Sequence, residues 1–358
     1  MRRRSGVHPV ELGTALMLSA CLPELRQVQG EYVLYEYSAE LHPCAGNAAF
    51  VDRMAPFLAG QSGVPVPDSV RFSWMRSEEQ PLPSLSENGG LAVGEHAWIF
   101  RPVSIHEFTH VITGGMVARF FTEGIATAMD VLGDGRGPRY ATDTELAFEG
   151  WDPRNTMMAI RSQDVNYATA AVFVTYLLVQ HGPERFGEFY RRLGGPASMR
   201  WIAAQFRDVY GLELEAEIET FLQGVPECSD DSFPLLVAEC TGPTIPWQSE
   251  GFWRFEGSMD CEDPEVVGGV EPGYAWPSSR AVTVEVPEDG TYFLYINETR
   301  DAWLRVGPCF GCPWEDEGIF LEDENHGKVL QLAAGKYYVR IGSRSDLSPE
   351  VTVRLEKV

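Results

Sequence analysis

The spacing of apolar positions changes character twice along the chain. Residues 31–37 alternate like a half-buried strand, residues 44–59 carry helical spacing, and residues 69–75 and 95–101 are extended again. This predicts a small mixed sheet with one helix ahead of residue 104. From 104 to 224 the period is mainly helical. Ser104 stands where an N-cap belongs, and Thr113-Gly114-Gly115 breaks the first helix of this stretch. Phe120, Phe121, Ile125, Ala128, Met129 and Leu132 then resume helical spacing, which predicts two short antiparallel helices. Ala168 to Gln180 is uncharged and almost continuously apolar, yet thirteen residues are too few to cross a bilayer. It reads as the buried central helix of this part. Pro183 suits a helix start, and Gly211 separates the last two helices.

After Pro226 helical periodicity disappears. Val282, Val284 and Val286, the turn Pro287-Glu288-Asp289-Gly290, and Tyr292 to Tyr295 form one hairpin signal. Leu330 to Ala333, Gly335-Lys336 and Tyr337 to Ile341 form another. Several short strands with such turns predict a β-sandwich or jelly roll over 241–358, with 227–240 as a linker. The fold class expected is therefore α+β.

The strongest chemical signal sits in the first helix after Ser104. His106-Glu107-Phe108-Thr109-His110 places two histidines four apart, one turn from each other, with Glu107 leaning to the same side. That pattern is a zinc site carrying its own general base. Zinc held by two neutral imidazoles and a carboxylate keeps one position open, and water there becomes acidic enough to act near neutral pH. Glu107 cannot serve comfortably as the third ligand beside His106, and is placed instead to move a proton from water to a leaving amine. Glu123, in the run Phe120 to Ala126, is the nearest carboxylate on a second helical segment and is the expected third ligand.

With Glu123-Gly124-Ile125-Ala126 included, the chain resembles the gluzincins, the thermolysin-like metallopeptidases of the peptidase MA-like kind, over roughly residues 30 to 225. The resemblance continues through Asn166 to Leu178 and Phe206 to Leu214. It implies a zincin-like catalytic unit over 22–226, Zn2+ as cofactor, and a peptide or protein substrate. It also implies that Tyr167 hydrogen-bonds the tetrahedral oxyanion, a role that stabilises charge present only in the transition state. In gluzincins the last strand of the sheet borders the cleft; Glu95 to Phe100 takes that place here, with Trp98 either beside the peptide or packed into the sheet. Two features depart from the family. The His110 to Glu123 spacing is shorter than in most relatives, and the Gly-x-Met-Glu-Asn segment that grips a free amino terminus is absent, which favours an endopeptidase over an aminopeptidase.

Charge and cysteines add a location. The net charge of −24 argues against nucleic acid, whose phosphates would be repelled. Arg2, Arg3 and Arg4, the apolar run Leu12 to Ala20, and Leu18-Ser19-Ala20-Cys21 read as a lipoprotein signal over residues 1–21, with a membrane tether through lipidated Cys21. Cys44, Cys228, Cys240, Cys261, Cys309 and Cys312 then remain, enough for up to three disulfides. Cys309 is expected to pair locally with Cys312 or with Cys261, because a zinc ribbon would need a second close pair. The sequence selects no oligomeric state. The reading that results is an exported zinc peptidase; its alternative is a catalytically inert surface binding protein that keeps a zincin scaffold and recognises its partner through the β domain.

Overall fold

The computed structural model describes residues 24–76, 79, 90–114, 118–133, 152–194, 198–224, 238–248, 251–271, 274–297, 302–309, 319–322, 327–343 and 350–358. Cys21, Gly115, Cys228 and Cys312 lie outside the described residues. The fold is α+β, organised around two hydrophobic cores.

The first core forms between a five-stranded sheet and helices. The strands are β1 (Leu25–Gln29), β2 (Val33–Ser38), β4 (Val70–Trp74), β5 (Gly90–Val93) and β6 (His96–Ile99), in the order β1-β2-β4-β6-β5. β2, β4 and β6 run parallel, and β1 and β5 run antiparallel at the two edges. Alternation along the strands puts Tyr35, Phe72, Trp74, Ala97 and Ile99 on one face, buried against Met54 and Leu58 of α1 (Gly46–Ser62) and Phe108 of α2 (Ile105–Thr113). Glu36, Ser73, His96 and Trp98 share the other face. There Ser73 Oγ donates to Glu36 Oε2 at 2.8 Å, and the Trp98 ring lies 3.8 Å from that of His96. Trp98 thus packs on the sheet. The expectation that β6 borders the cleft is corrected: β6 lies inside the sheet, with Leu91 of β5 opposite Trp98, and β5 is the edge strand. Four residues without clear alternation gave β5 no signal of its own.

Helices fill the rest of this core: α3 (Arg119–Gly133), α4 (Tyr167–His181), α5 (Pro183–Arg192), α6 (Met199–Tyr210) and α7 (Leu214–Leu222). α4 is buried from Thr169 to Val179, which is why its sequence lacks a polar face. Gly124 brings α3 onto it. A Cβ at Gly124 would stand 2.8 Å from the Ala170 carbonyl oxygen, so glycine is what allows the backbones to approach beside Glu123.

The second core lies between two antiparallel sheets. β13 (Gly327–Leu332), β10 (Gly290–Asn297), β15 (Glu350–Lys357) and β7 (Phe252–Ser258) form one. β12 (Ile319–Glu322), β11 (Ala302–Pro308), β14 (Gly335–Ser343), β9 (Tyr274–Val286) and β8 (Val267–Glu271) form the other, to which β3 (His42–Pro43) adds a sixth strand. Trp253, Val284, Tyr292, Leu294, Leu304, Ile341 and Leu355 fill the space between them. This is a β-sandwich, completed by a strand from the N-terminal part of the chain. The two expected hairpins are corrected: β9 and β10 lie in different sheets, as do β13 and β14, so each of these turns carries the chain from one sheet to the other, which a local turn signal cannot tell from a hairpin.

β3 leads directly into a dense junction. Asn47, fully buried, donates from Nδ2 to the Gly268 carbonyl at 2.8 Å and accepts from the Gly268 N–H at 2.9 Å. Ala45 N–H donates to Cys261 O at 2.7 Å, and a disulfide joins Cys44 to Cys261. A second disulfide joins Cys240 to Cys309. Both pairings correct the expectation for Cys309 and Cys261. Local spacing could not find them, because the partners are 217 and 69 residues apart and meet only when the sheets assemble. Replacing Cys44 and Cys261 by serine is expected to cost about 2–4 kcal/mol, read from the denaturant midpoint. A change below about 0.5 kcal/mol would show that the hydrogen bonds alone hold the junction. Among the described residues no helix is long and apolar enough to cross a membrane.

Candidate metal centre

Ser104 begins the site as expected. Its hydroxyl accepts from the Glu107 N–H at 3.4 Å and caps α2. Ile105, Phe108, Val111 and Ile112 face the core, with Phe108 edge-on to Phe72 at 5.4 Å, which turns His106 and His110 toward α3. Gly114, at φ 75°, accepts the left-handed conformation that ends α2. Asp130 of α3 accepts from the His106 N–H at 3.3 Å and lies 3.9 Å from Arg101. Asp130 thereby joins α3 to the start of α2.

Glu123, only 4% exposed, comes back over the histidines. Its Oε2 lies 3.4 Å from His106 Nε2 and 3.3 Å from His110 Nε2, and the two nitrogens are 3.2 Å apart. These three atoms form a nearly equilateral triangle. A tetrahedral zinc with donors about 2.0–2.1 Å away has edges of about 3.3 Å. The donor set of two imidazoles and one carboxylate therefore fits the ion in both chemistry and size. Electrostatics point the same way. Burial opposes charge on Glu123, but the hydrogen bonds to His106 and His110 outweigh it and hold the carboxyl well below its usual range. Burial also opposes charge on His106, and is outweighed by Glu123 and the neighbouring Glu107 and Asp130, leaving its pKa raised. The group is built to surround positive charge.

Glu107 sits beside this triangle. Burial raises its pKa, and the two histidines pull the other way. β5 is the wall behind it: a Cβ on Gly90 would stand 2.5 Å from Glu107 Cγ and 3.0 Å from its Cδ. Gly90 therefore leaves the room in which the carboxylate stands. Gly90→Ala is expected to keep the metal and lower the rate of the Glu107-dependent step about 100-fold, since roughly 1 Å of misplacement costs that much. In a Glu107→Ala background the same change should cost less stability than in the unmodified chain, as a double-mutant cycle followed by thermal unfolding would record.

Tyr167, at the start of α4, lies with its ring 6.1 Å from that of His106 and stacked on it. Burial and the nearby Glu123 push its phenol up to about 12, while Ser162 acts in the opposite sense. The structure thus brings Tyr167 to the group formed by His106, His110, Glu107 and Glu123. Sequence reasoning missed Ser162, whose Oγ donates to Glu123 Oε1 at 2.6 Å, together with Gly90 and Asp130. Ser162 is 39 residues from Glu123 in a stretch without periodicity, so nothing local marks it.

No family model matches the chain, and no curated protein matches it. Among solved structures it is similar to an M1 zinc metallopeptidase from Deinococcus radiodurans, at 17% identity and a TM-score of 0.37, over 57% of this chain and 52% of that one. It is also similar to Legionella pneumophila aminopeptidase A, at 8% identity and a TM-score of 0.35, over 87% of this chain and 36% of that one. PliG from Aeromonas hydrophila, a periplasmic inhibitor of g-type lysozyme, matches at 17% identity and a TM-score of 0.23, over 32% of this chain and 95% of that one. The chain thus spans about half or less of the two peptidases. TM-scores this low define neither fold nor chemistry, and the function is read from the site.

Proposed function

We propose that the chain is an exported zinc metallopeptidase in which His106, His110 and Glu123 hold the ion, Glu107 is the general base and Tyr167 assists the oxyanion. The triangle of donor atoms at 3.2–3.4 Å, with a carboxylate one residue from the first histidine, is the observation that carries this reading. Zinc, when bound, supplies a Lewis acid that polarises the scissile carbonyl and makes water acidic near neutral pH. The residues do the rest. Glu107 takes a proton from the attacking water and returns it to the leaving amine. Tyr167 donates its phenolic hydrogen to the oxygen that becomes negative. β5, paired with another strand on one side only among the described residues, offers main-chain groups to an extended peptide.

An endopeptidase fits this site better than an aminopeptidase. The sequence lacks the segment by which aminopeptidases of the family it resembles grip a free amino terminus. We take residues 22–226 as the catalytic unit, 227–240 as a linker and 241–358 as the β unit. The two disulfides support an oxidising compartment, reached through the signal over residues 1–21 with the tether at Cys21.

The test is metal content by mass spectrometry together with cleavage of a mixed peptide library. About one zinc per chain, and hydrolysis that a chelator stops and zinc restores, is expected. Absence of bound zinc after zinc is offered would overturn the reading. Zinc without cleavage of any peptide would leave the binding protein on a zincin scaffold.

A further inference from the structure

We infer that the Ser162 hydroxyl holds Glu123 as a one-oxygen ligand, and so sets both the affinity and the coordination number of the metal centre; this rests on the metal-site reading above. The two oxygens of Glu123 are divided between different tasks. Oε1 accepts from Ser162 Oγ at 2.6 Å, the length of a hydrogen bond strengthened by the carboxylate charge, while Oε2 alone faces both histidines, at 3.4 and 3.3 Å. Freed of Ser162, the carboxylate could rotate and present both oxygens to one ion. With water still in the position that three protein donors leave open, the second oxygen would make the ion five-coordinate.

The serine is well placed for such a restraint. It opens the 3-10 turn Ser162–Asp164, which is closed by the Val165 N–H on the Ser162 carbonyl at 3.0 Å. Asn166 follows immediately and caps α4, its side chain accepting from the Thr169 N–H at 3.1 Å. The Ser162 backbone is therefore joined, through Val165 and Asn166, to the buried helix α4. His110 Nδ1 is buried and finds no acceptor among the described residues, so outer hydrogen bonds fall on Glu123, from Ser162 and from the Tyr167 phenol. Metal ligands depend on such outer hydrogen bonds for orientation. Tyr167 lies close enough for both Ser162 and Glu123 to act on its phenol, so the same hydroxyl also links the ligand to the oxyanion group.

Ser162→Ala, Ser162→Thr and Ser162→Val test the inference, the last two being nearly equal in shape and differing in the hydroxyl. Zinc affinity is measured by competition with a chelator, and coordination by the visible absorption of the Co2+-loaded chain. Thermal unfolding without metal serves as the control for folding. The alanine and valine variants are expected to bind zinc about 10–100-fold more weakly, and to give the weaker absorption of a five-coordinate ion. The threonine variant should retain the affinity and spectrum of the unmodified chain. Equal affinity and an unchanged spectrum in the valine variant would overturn the role of Ser162 while leaving the metal site intact. Failure of the unmodified chain to bind either ion would instead overturn the reading beneath it.

Discussion

Glu107→Gln should leave about one zinc per chain and lower peptide hydrolysis by roughly two to four orders of magnitude. Glutamine matches glutamate in shape, so packing against Gly90, where even a Cβ would collide with Glu107, is preserved. It cannot accept a proton. Because that transfer belongs to the transition state, kcat and kcat/KM should fall together, and KM should change little. Burial raises the carboxyl from its ordinary value against the opposing pull of His110 and His106. The measurement is initial rate on a peptide found by the library search, beside zinc content by mass spectrometry. A variant that hydrolyses at an unchanged rate would remove Glu107 as the base and leave the proton transfer to another group.

Residues whose partners lie within one or two helical turns were legible in the sequence. Ser104, His106, Glu107, His110 and Gly114 all belong to α2 or its caps, so cap, histidine spacing and helix end appear together in eleven consecutive residues. The central helix was legible because burial on every side leaves a continuous apolar run, and the turn about Pro287 to Gly290 because turn chemistry is local; the pairing across that turn was not, since β9 and β10 enter different sheets. What could not be read depends on chain segments far apart. β3 is two residues long and becomes a strand only because β8 of the sandwich lies beside it. Cys44 and Cys240 choose partners that the sheets deliver, and Ser162 reaches Glu123 only after α4 has packed on α3. The placement of β6 failed for a related reason: strand order is a property of the sheet, and the short edge strand that covers β6 carries almost no pattern.

His110→Ala should reduce bound zinc from about one per chain to near zero and abolish the stabilisation that zinc confers. The imidazole is one of three donors in a triangle whose other members, His106 Nε2 and Glu123 Oε2, are 3.4 Å apart. Two donors cannot replace the hydration of the ion as three do, and an exchangeable site results. Stability reports this independently of activity. An ion that binds only the folded chain stabilises it by about 2.7 kcal/mol when its free concentration is 100 times its dissociation constant. The melting temperature of the unmodified chain should therefore rise as zinc is added, and that of His110→Ala should stay flat. A comparison at saturating zinc alone would mix this effect with the loss of packing around His110, so the zinc dependence of each melting curve is the quantity to compare. If His110→Ala retained one zinc per chain and the same zinc dependence, the ion would be held elsewhere, and His106 and Glu123 would be left as a hydrogen-bonded pair beside an unrelated site.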